Sequence, residues 1–144
     1  MKAWPRLKIG ELLTRVKDDV QIDDFTTYGR ITIRMAGKGV TLRDRVVGSE
    51  IGTKRQFIAR TGQFVLSKID ARNGAFGVLP DDCDNAIVTG NFWVFDIDHS
   101  RLDSQFFNYL SKSPEFVAAC VAASDGTTNR RYLQEDAFLD MVVP

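Results

Sequence analysis

The side chains with the clearest chemical potential are the basic ones in the first half of the chain. Ten basic residues and three acidic ones lie between Arg30 and Arg72, which leaves seven positive charges in excess. Lysine and arginine bind phosphate groups, and arginine and asparagine make paired hydrogen bonds to the edges of bases. A basic face formed by this segment would therefore suit phosphate groups. Its basic residues are Arg30, Arg34, Lys38, Arg43, Arg45, Lys54, Arg55, Arg60, Lys68 and Arg72.

A neighbouring segment carries the opposite charge. Residues 73–110 contain six aspartates and one arginine, and the whole chain has a formal net charge of zero. Two interpretations remain open at this point. The domain has one basic and one acidic face for different partners, or its strands interleave the charges into an even surface.

The stretch GQFVLSKIDARNGAFGVLP (Gly62–Pro80) predicts a hairpin. Two apolar strands flank Asn73-Gly74, a dipeptide that tolerates the positive φ of a tight turn. Arg72 and Asn73 at the end of this hairpin suit guanine and adenine edges, and Lys68 suits a phosphate. The alternative is that Arg72 pairs with Asp70 or an acidic neighbour and only holds the turn.

Two further clusters suit phosphate binding. Gly37-Lys38-Gly39 predicts a turn that brings a lysine and two backbone amides together, although such turns also connect ordinary strands. The segment GTTNRRYL adds a late group of hydroxyl, amide and basic side chains, which includes Thr128, Asn129 and Arg130.

Catalytic motifs are scarce. His99 is the single histidine, so sites that need two imidazoles have no support, and no glycine-rich nucleotide fingerprint occurs. A metal-dependent nuclease centred on Asp96, Asp98 and His99 is the enzyme alternative. Cys83 and Cys120 lack metal-ligand spacing and are interpreted as small apolar residues. We expect no catalytic residue, no metal and no cofactor.

The chain has 144 residues, of which 44% are hydrophobic, a composition typical of one soluble globular domain. It contains no run of about 18 apolar residues, and its start lacks the features of a secretory signal. We expect a single cytoplasmic domain over residues 1–144.

Periodicity predicts an α+β domain. Ile31, Ile33 and Met35 alternate with polar residues, which is typical of a half-buried strand, and NFWVFDID predicts an aromatic strand in the core. Ser113-Pro114-Glu115 is a helix start, and a preceding helix begins near Asp103. We expect a twisted, largely antiparallel sheet between about residues 28 and 97, flanked by two helices in residues 103–125.

Several ordered motifs resemble the target recognition domain of a type I restriction-modification specificity (S) subunit. They are GQFVLSKIDARNGAFGVLP, VTGNFWVFDID and SDGTTNRRYLQEDAFLDMVVP, and the opening WPRLKIGELL resembles the usual start of that family. The resemblance spans most of the chain and is most specific at Gly62–Pro80.

The resemblance implies a DNA-reading module without catalysis of its own. In that family each of two such domains reads half of a bipartite site in double-stranded DNA, and long helices bind the methyltransferase subunits. The expected partners are double-stranded DNA, a methyltransferase (modification) subunit and a restriction subunit, with self-association possible and no membrane. The chain ends at Pro144, before any long spacer helix of the family would begin.

Combined with the basic segment, the resemblance predicts a set of DNA-binding residues. The alternative function is an RNA-binding or protein-interaction domain that uses the same basic strands. A reader of single-stranded RNA stacks bases on exposed aromatic rings, so burial of Phe64, Phe92 and Trp93 would count against it. The predicted DNA-binding residues are Lys38, Arg43, Arg45, Lys54, Arg55, Arg60, Lys68, Arg72, Asn73, Thr128, Asn129 and Arg130.

Overall fold

The fold is of the α+β class and contains two main β-sheets, of four and five strands, that pack face to face, besides two two-stranded sheets. The computed structural model describes residues 7–98, 107, 110–127 and 130–143. The first strands are β1 (Leu7–Lys8), β2 (Leu13–Val16), β3 (Asp19–Gln21), β4 (Thr27–Arg34), β5 (Gly39–Val47) and β6 (Arg55–Ala59). The later ones are β7 (Phe64–Ser67), β8 (Phe76–Val78), β9 (Ala86–Val88), β10 (Phe92–Ile97), β11 (Ser124–Thr127), β12 (Arg130–Leu133) and β13 (Val142–Val143).

Helices and short turns connect and cover these strands. The described helices are α1 (Ile9–Leu12), α2 (Pro114–Ala122) and α3 (Glu135–Leu139), and 3₁₀ turns occur at Gly48–Glu50, Ala71–Asn73 and Asp81–Cys83. Helix α2 begins as its sequence predicts: the Ser113 side chain accepts a hydrogen bond from the Phe116 N–H (3.2 Å), and Pro114 occupies the first helical position. None of the described helices is long and apolar enough to span a bilayer.

The five-stranded sheet has the order β3-β6-β9-β4-β5, and all its neighbouring strands are antiparallel except β4 and β9. Ile31 and Ile33 of β4 pack against the core between the sheets, whereas Thr32 and Arg34 are exposed on the other face. Because β9 meets β4 only at Arg30, the rest of β4 pairs with β5 alone. Residues 31–42 therefore form a two-stranded extension of the sheet, which we call the ribbon.

The four-stranded sheet has the order β2-β10-β7-β8 and is antiparallel throughout. Strand β7 is buried on both faces because a core lies on each side of it: Phe64 and Leu66 face the helices, and Val65 faces the five-stranded sheet. This explains why the strand has a continuous apolar sequence rather than an alternating one. The sheet is the middle layer of the domain.

Phenylalanine rings fill the core under the helices. Phe64 lies 4.8 Å from Phe107 between ring centroids, nearly perpendicular to it, and Phe116 of α2 packs edge-on against Phe76 at 5.2 Å. These residues are at most 4% exposed. The rings attach α2 to the hairpin of β7 and β8, so the hairpin is rigidly supported.

The ends of the described chain meet. Strand β1 pairs with β13 through Leu7 and Val143 and through Lys8 and Val142. The Ile9 N–H adds a hydrogen bond of 2.7 Å to the Met141 carbonyl.

The structure confirms the predicted α+β class and departs from the predicted elements in several places. The strands form two main sheets rather than one, because β7 and β10 carry apolar residues on both faces. Asp19–Gln21, before the predicted sheet region, is the edge strand β3. Helix α2 ends at Ala122, and β11 begins at Ser124, within the region predicted to be helical. The helix predicted from Asp103 falls mostly outside the described residues.

The two cysteines are free and buried, as expected of small apolar residues. Cys83 lies in the core between the sheets and Cys120 in the core under the helices. Burial raises the pKa of Cys83 to about 11 and that of Cys120 to about 12.

Candidate nucleic-acid interface

The ribbon ends in a tight turn at residues 35–38. Ala36 and Gly37 have positive φ values of 60° and 67°, and Gly39, the first residue of β5, has a φ of 86°. Two successive residues with positive φ suit the right-handed twist of a hairpin. The predicted turn at Gly37-Lys38-Gly39 is thus displaced by two residues toward the N-terminus, and Lys38 is exposed at its end.

This turn is held against the loop that carries Arg72 and Asn73. The Ala36 N–H donates to the Asn73 carbonyl (2.7 Å), and the Gly37 N–H donates to the Gly74 carbonyl (3.1 Å). Gly74 ends the 3₁₀ turn with a φ of 78°, and a Cβ atom there would lie 2.9 Å from the Gly37 nitrogen. Because the Gly37 amide already has a partner, the predicted pair of free amides for a phosphate is not formed.

Ion pairs neutralise many of the basic side chains between Arg30 and Arg72. Arg30 binds Asp44 through two hydrogen bonds, of 2.7 and 2.8 Å, across the ribbon's base. This holds the pKa of the Asp44 carboxyl below its usual range, chiefly through the Arg30 hydrogen bonds. Acidic residues outside the segment neutralise three more cations: Lys54 pairs with Asp24 (2.9 Å), Arg60 with Asp18 (2.9 Å) and Arg55 with Asp19 (3.8 Å). Over this part of the surface, the strands interleave the charges.

A smaller group of cations is unpaired. Among the basic side chains that the structure describes, Lys17, Arg34, Lys38, Arg72 and Lys112 form neither an ion pair nor a hydrogen bond with the described residues. All but Lys17 surround the end of the ribbon. We call Arg34, Lys38, Arg72 and Lys112 the tip cations.

Contacts with the turn place the tip cations together. Arg34 and Lys38 flank the turn in sequence, and Arg72 precedes Asn73, whose carbonyl binds the Ala36 amide. The side chain of Lys112 packs against Gly37, since a Cβ atom at Gly37 would lie 3.3 Å from the Lys112 Cβ. Four positive charges from three separate parts of the sequence thus lie near the turn, and no acidic side chain of the described residues pairs with them.

Arg72 and Asn73 differ from each other in their surroundings. The Asn73 amide donates to the Asp70 carboxylate at 3.3 Å, whereas Arg72 makes no pair with Asp70. The structure therefore does not support the alternative in which Arg72 only holds the turn. The Arg72 Nε is buried without a hydrogen-bond partner.

Several predicted residues lie away from the tip. Lys54, Arg55 and Arg60 belong to the ion-paired surface described above. Arg45 is exposed and donates to the Asp82 carbonyl at 3.3 Å. Arg43 is the extra residue of a β-bulge, because Arg30 pairs with Asp44 and Ile31 with Leu42, and it is 3.9 Å from the Asp44 carboxylate.

The remaining predicted residues lie near the turn at Ala71–Asn73 or outside the described chain. Lys68 is half-buried, and its backbone bridges Asn91 and Leu133 through hydrogen bonds of 3.0 and 2.7 Å. Arg130 begins β12, which contacts that turn. Thr128 and Asn129 lie outside the described residues.

Three residues at the tip were not predicted from the sequence to be binding residues. Arg34 was counted as basic but not predicted as a binding residue, and Lys112 has no local signal, because only the tertiary fold brings it to the ribbon. Met35 was predicted on the inner face of a strand. That prediction was wrong: β4 ends at Arg34, and Met35 begins the turn with 54% of its surface exposed.

The alternative sites receive no support from the described residues. No group of three or more His, Cys, Asp or Glu side chains there is placed to hold a metal ion, and Asp96 accepts a hydrogen bond from Gln63 (2.8 Å). His99 of the proposed nuclease site lies outside the described residues. Phe64 and Trp93 are buried, and Phe92 packs against the core between the sheets. These rings offer no platform on which to stack bases.

Comparison with solved structures identifies the fold. Neither the scan of protein-family models nor the search of curated proteins found a match. A structure of the HsdS subunit from Thermoanaerobacter tengcongensis aligns with 98% of this chain, with a TM-score of 0.74 and 17% identity. A chain in a structure that addresses complex assembly and conformational transition of the type I R-M system aligns with 97%, with a TM-score of 0.76 and 17% identity. The S subunit from M. genitalium aligns with 97%, with a TM-score of 0.59 and 15% identity.

The chain therefore has the fold of a part of type I specificity subunits. It spans 37% of the length of the first two of those chains and 33% of the third.

Proposed function

We propose that this chain is a target recognition domain that binds double-stranded DNA and reads one half of a bipartite site within a type I restriction-modification system. The observation that carries the proposal is the group of unpaired tip cations around the ribbon, in a domain whose other basic side chains are mostly paired. Unpaired guanidinium and ammonium groups that converge on one exposed turn attract a polyanion. The fold shared with specificity subunits favours duplex DNA as that polyanion.

The proposed contacts divide into two kinds. Lys38 and Lys112 are flexible point charges that suit phosphates, which fix position but carry no sequence information. Arg72 is partly buried and forms no ion pair with the described residues, and its planar guanidinium suits a guanine edge. The ion-paired Lys54, Arg55 and Arg60 are not expected to contribute phosphate contacts unless their pairs break.

A selection experiment tests the proposal. The purified chain is incubated with a randomised duplex pool at moderate salt, and bound DNA is sequenced. A half-site reader enriches a motif of roughly three to five base pairs, since such a domain contacts few base edges. Binding without enrichment would contradict sequence reading, and the absence of binding would favour the protein-interaction alternative.

The dependence of affinity on salt then tests which cations contact DNA. If Lys38 and Lys112 each neutralise one phosphate, together they contribute about −2 to the slope of a plot of log K against log salt. Replacing Lys38 or Lys112 by Ala is expected to reduce the slope by about 1 each. Lys17→Ala is the matched control, because Lys17 is also exposed and unpaired but precedes β3 at the far edge of the sheet. An equal effect of the control would refute the assignment to the tip.

Arg72→Ala separates base reading from phosphate binding. If Arg72 binds guanine, its loss is expected to cost about 1–3 kcal/mol and to relax preference at one base pair. An equal loss of affinity on every duplex would assign Arg72 to the backbone instead.

A protein contact at the opposite end of β4 is the second candidate function. Phe25 is 92% exposed, yet its turn is ordered by hydrogen bonds: the Asp23 carboxylate accepts from the Thr26 hydroxyl (2.6 Å) and the Phe25 N–H (3.4 Å). The turn borders an open groove of about 510 Å³ lined also by Ile22, Asp24 and Lys54. An exposed aromatic ring on an ordered turn beside carboxylates suits a protein partner better than DNA.

We propose that this end contacts another subunit of the system. Phe25→Ala is expected to leave DNA affinity unchanged and to weaken pull-down of a co-expressed methyltransferase subunit. Unchanged pull-down would remove Phe25 from that contact, and the restriction subunit can be tested in the same way.

A further inference from the structure

Met35 is exposed in the turn of the ribbon, between Arg34 and Lys38 in sequence. It is one of two large hydrophobic side chains exposed in the described part of the chain, the other being Phe25. Arg34 precedes it, and Lys38 closes the same turn. An apolar side chain held between unpaired cations suits a partner that is anionic outside and apolar in places, as a DNA groove is.

The shape of the ribbon indicates which groove. A two-stranded β-ribbon fits the major groove, which is about 12 Å wide, whereas the minor groove is only about 6 Å wide. The ribbon's outer face presents Thr32 and Thr41, which are opposite each other in the pairing and both exposed. These small polar residues let the ribbon approach the bases closely.

The turn fixes the position of Met35. Backbone hydrogen bonds from Ala36 and Gly37 to the loop of residues 73–74 hold the turn from one side, so Met35 projects from a supported backbone. Its thioether chain is flexible and polarizable, which suits contact with a methyl group. The apolar group that the major groove offers is the C5-methyl of thymine.

We propose that Met35 contacts the C5-methyl group of one thymine in the major groove and so determines specificity at that base pair. This inference rests on the proposed DNA-binding function. It adds an apolar contact to the polar ones assigned above.

Deoxyuridine tests the contact at the level of one methyl group. Each thymine of the duplex recovered by selection is replaced singly by deoxyuridine, and dissociation constants are measured by fluorescence anisotropy for the wild type, Met35→Ala, Met35→Leu and Phe25→Ala. The wild type is expected to lose about fourfold in affinity at one thymine, the value for one buried methyl group. Phe25→Ala removes the other exposed hydrophobic side chain, at the opposite end of β4, and is expected to show the same loss of affinity at that thymine.

The Met35 variants complete the test. Met35→Ala is expected to bind the thymine and deoxyuridine duplexes equally, whereas Met35→Leu retains a preference for thymine. A wild type indifferent to every substitution, a recovered motif without thymine, or an undiminished thymine preference in Met35→Ala would each overturn the inference. In all three outcomes salt-sensitive duplex binding by the wild type persists. Its absence would instead refute the proposed function, and this inference with it.

Discussion

Gly74 is expected to be the residue at which the ribbon and the Arg72 loop are most sensitive to substitution. Gly74→Ala places a side chain at a φ of 78°, which costs about 1–2 kcal/mol for an L-residue. The new Cβ would also lie 2.9–3.1 Å from backbone atoms of Ala36 and Gly37, which cannot rotate away. The turn must therefore move, and both hydrogen bonds that hold it weaken.

The magnitude follows from these contacts. Two backbone hydrogen bonds are worth about 1 kcal/mol each, so Gly74→Ala is expected to lose about 3–4 kcal/mol of unfolding free energy. Gly39→Ala is the matched control. Gly39 has a φ of 86°, but a Cβ atom there would meet nothing within 4 Å, so only the backbone cost of about 1–2 kcal/mol applies.

The assay is equilibrium unfolding in urea, followed by far-UV circular dichroism. The expected excess for Gly74→Ala over Gly39→Ala is about 2 kcal/mol, with the slope of free energy against urea unchanged. Losses that agree within about 0.5 kcal/mol would show that the docking of the turn contributes nothing, which would contradict the argument that the tip is supported. The same variant is expected to weaken DNA binding, because it separates Lys38 from Arg72.

Three further predictions concern the rest of the domain. Gly48→Ala is expected to lower the melting temperature more than Gly52→Ala, because its Cβ would overlap a carbonyl oxygen of the β3–β4 loop, whereas Gly52 has open space. The two thiols of the native chain are expected to react slowly with Ellman's reagent at pH 8 and quickly in urea, since both are buried and the pKa of Cys120 is raised to about 12. The hydrogen bonds of Arg30 lower the pKa of Asp44 in the folded protein, so the ionised carboxylate stabilises the fold above the carboxyl's unfolded pKa. This stabilisation is lost as the pH falls through the folded pKa, and the melting temperature is therefore expected to decline below about pH 4. Asp44→Asn is expected to flatten this decline between pH 6 and 2.

Local patterns predicted much of the fold. The alternation around Ile31 and Ile33 predicted β4, because a half-buried strand has a period of two. Ser113-Pro114 predicted the start of α2, because the serine side chain satisfies a free backbone amide there. The split into two sheets was not predictable in this way. A strand such as β7, buried on both faces, shows an apolar run that does not say which elements cover it.

The candidate site was harder to predict than the fold. Charge counted along the sequence marked the basic segment but not its partners, because Arg60 pairs with Asp18 across 42 residues and Lys54 with Asp24 across 30. Sequence order cannot show which cations the fold leaves free. Lys112 reaches the ribbon through tertiary packing alone.

The pairing of β1 with β13 has a consequence for engineering. Residues 7 and 143 sit opposite each other, about 5 Å apart between Cα atoms, so the polypeptide enters and leaves the domain at one place. A unit with adjacent ends can be grafted into a host loop, or circularly permuted, without stretching its interior. If the domain reads DNA as proposed, a recognition surface could then be transplanted as a cassette, with the host protein supplying whatever chemistry is to be directed to the site.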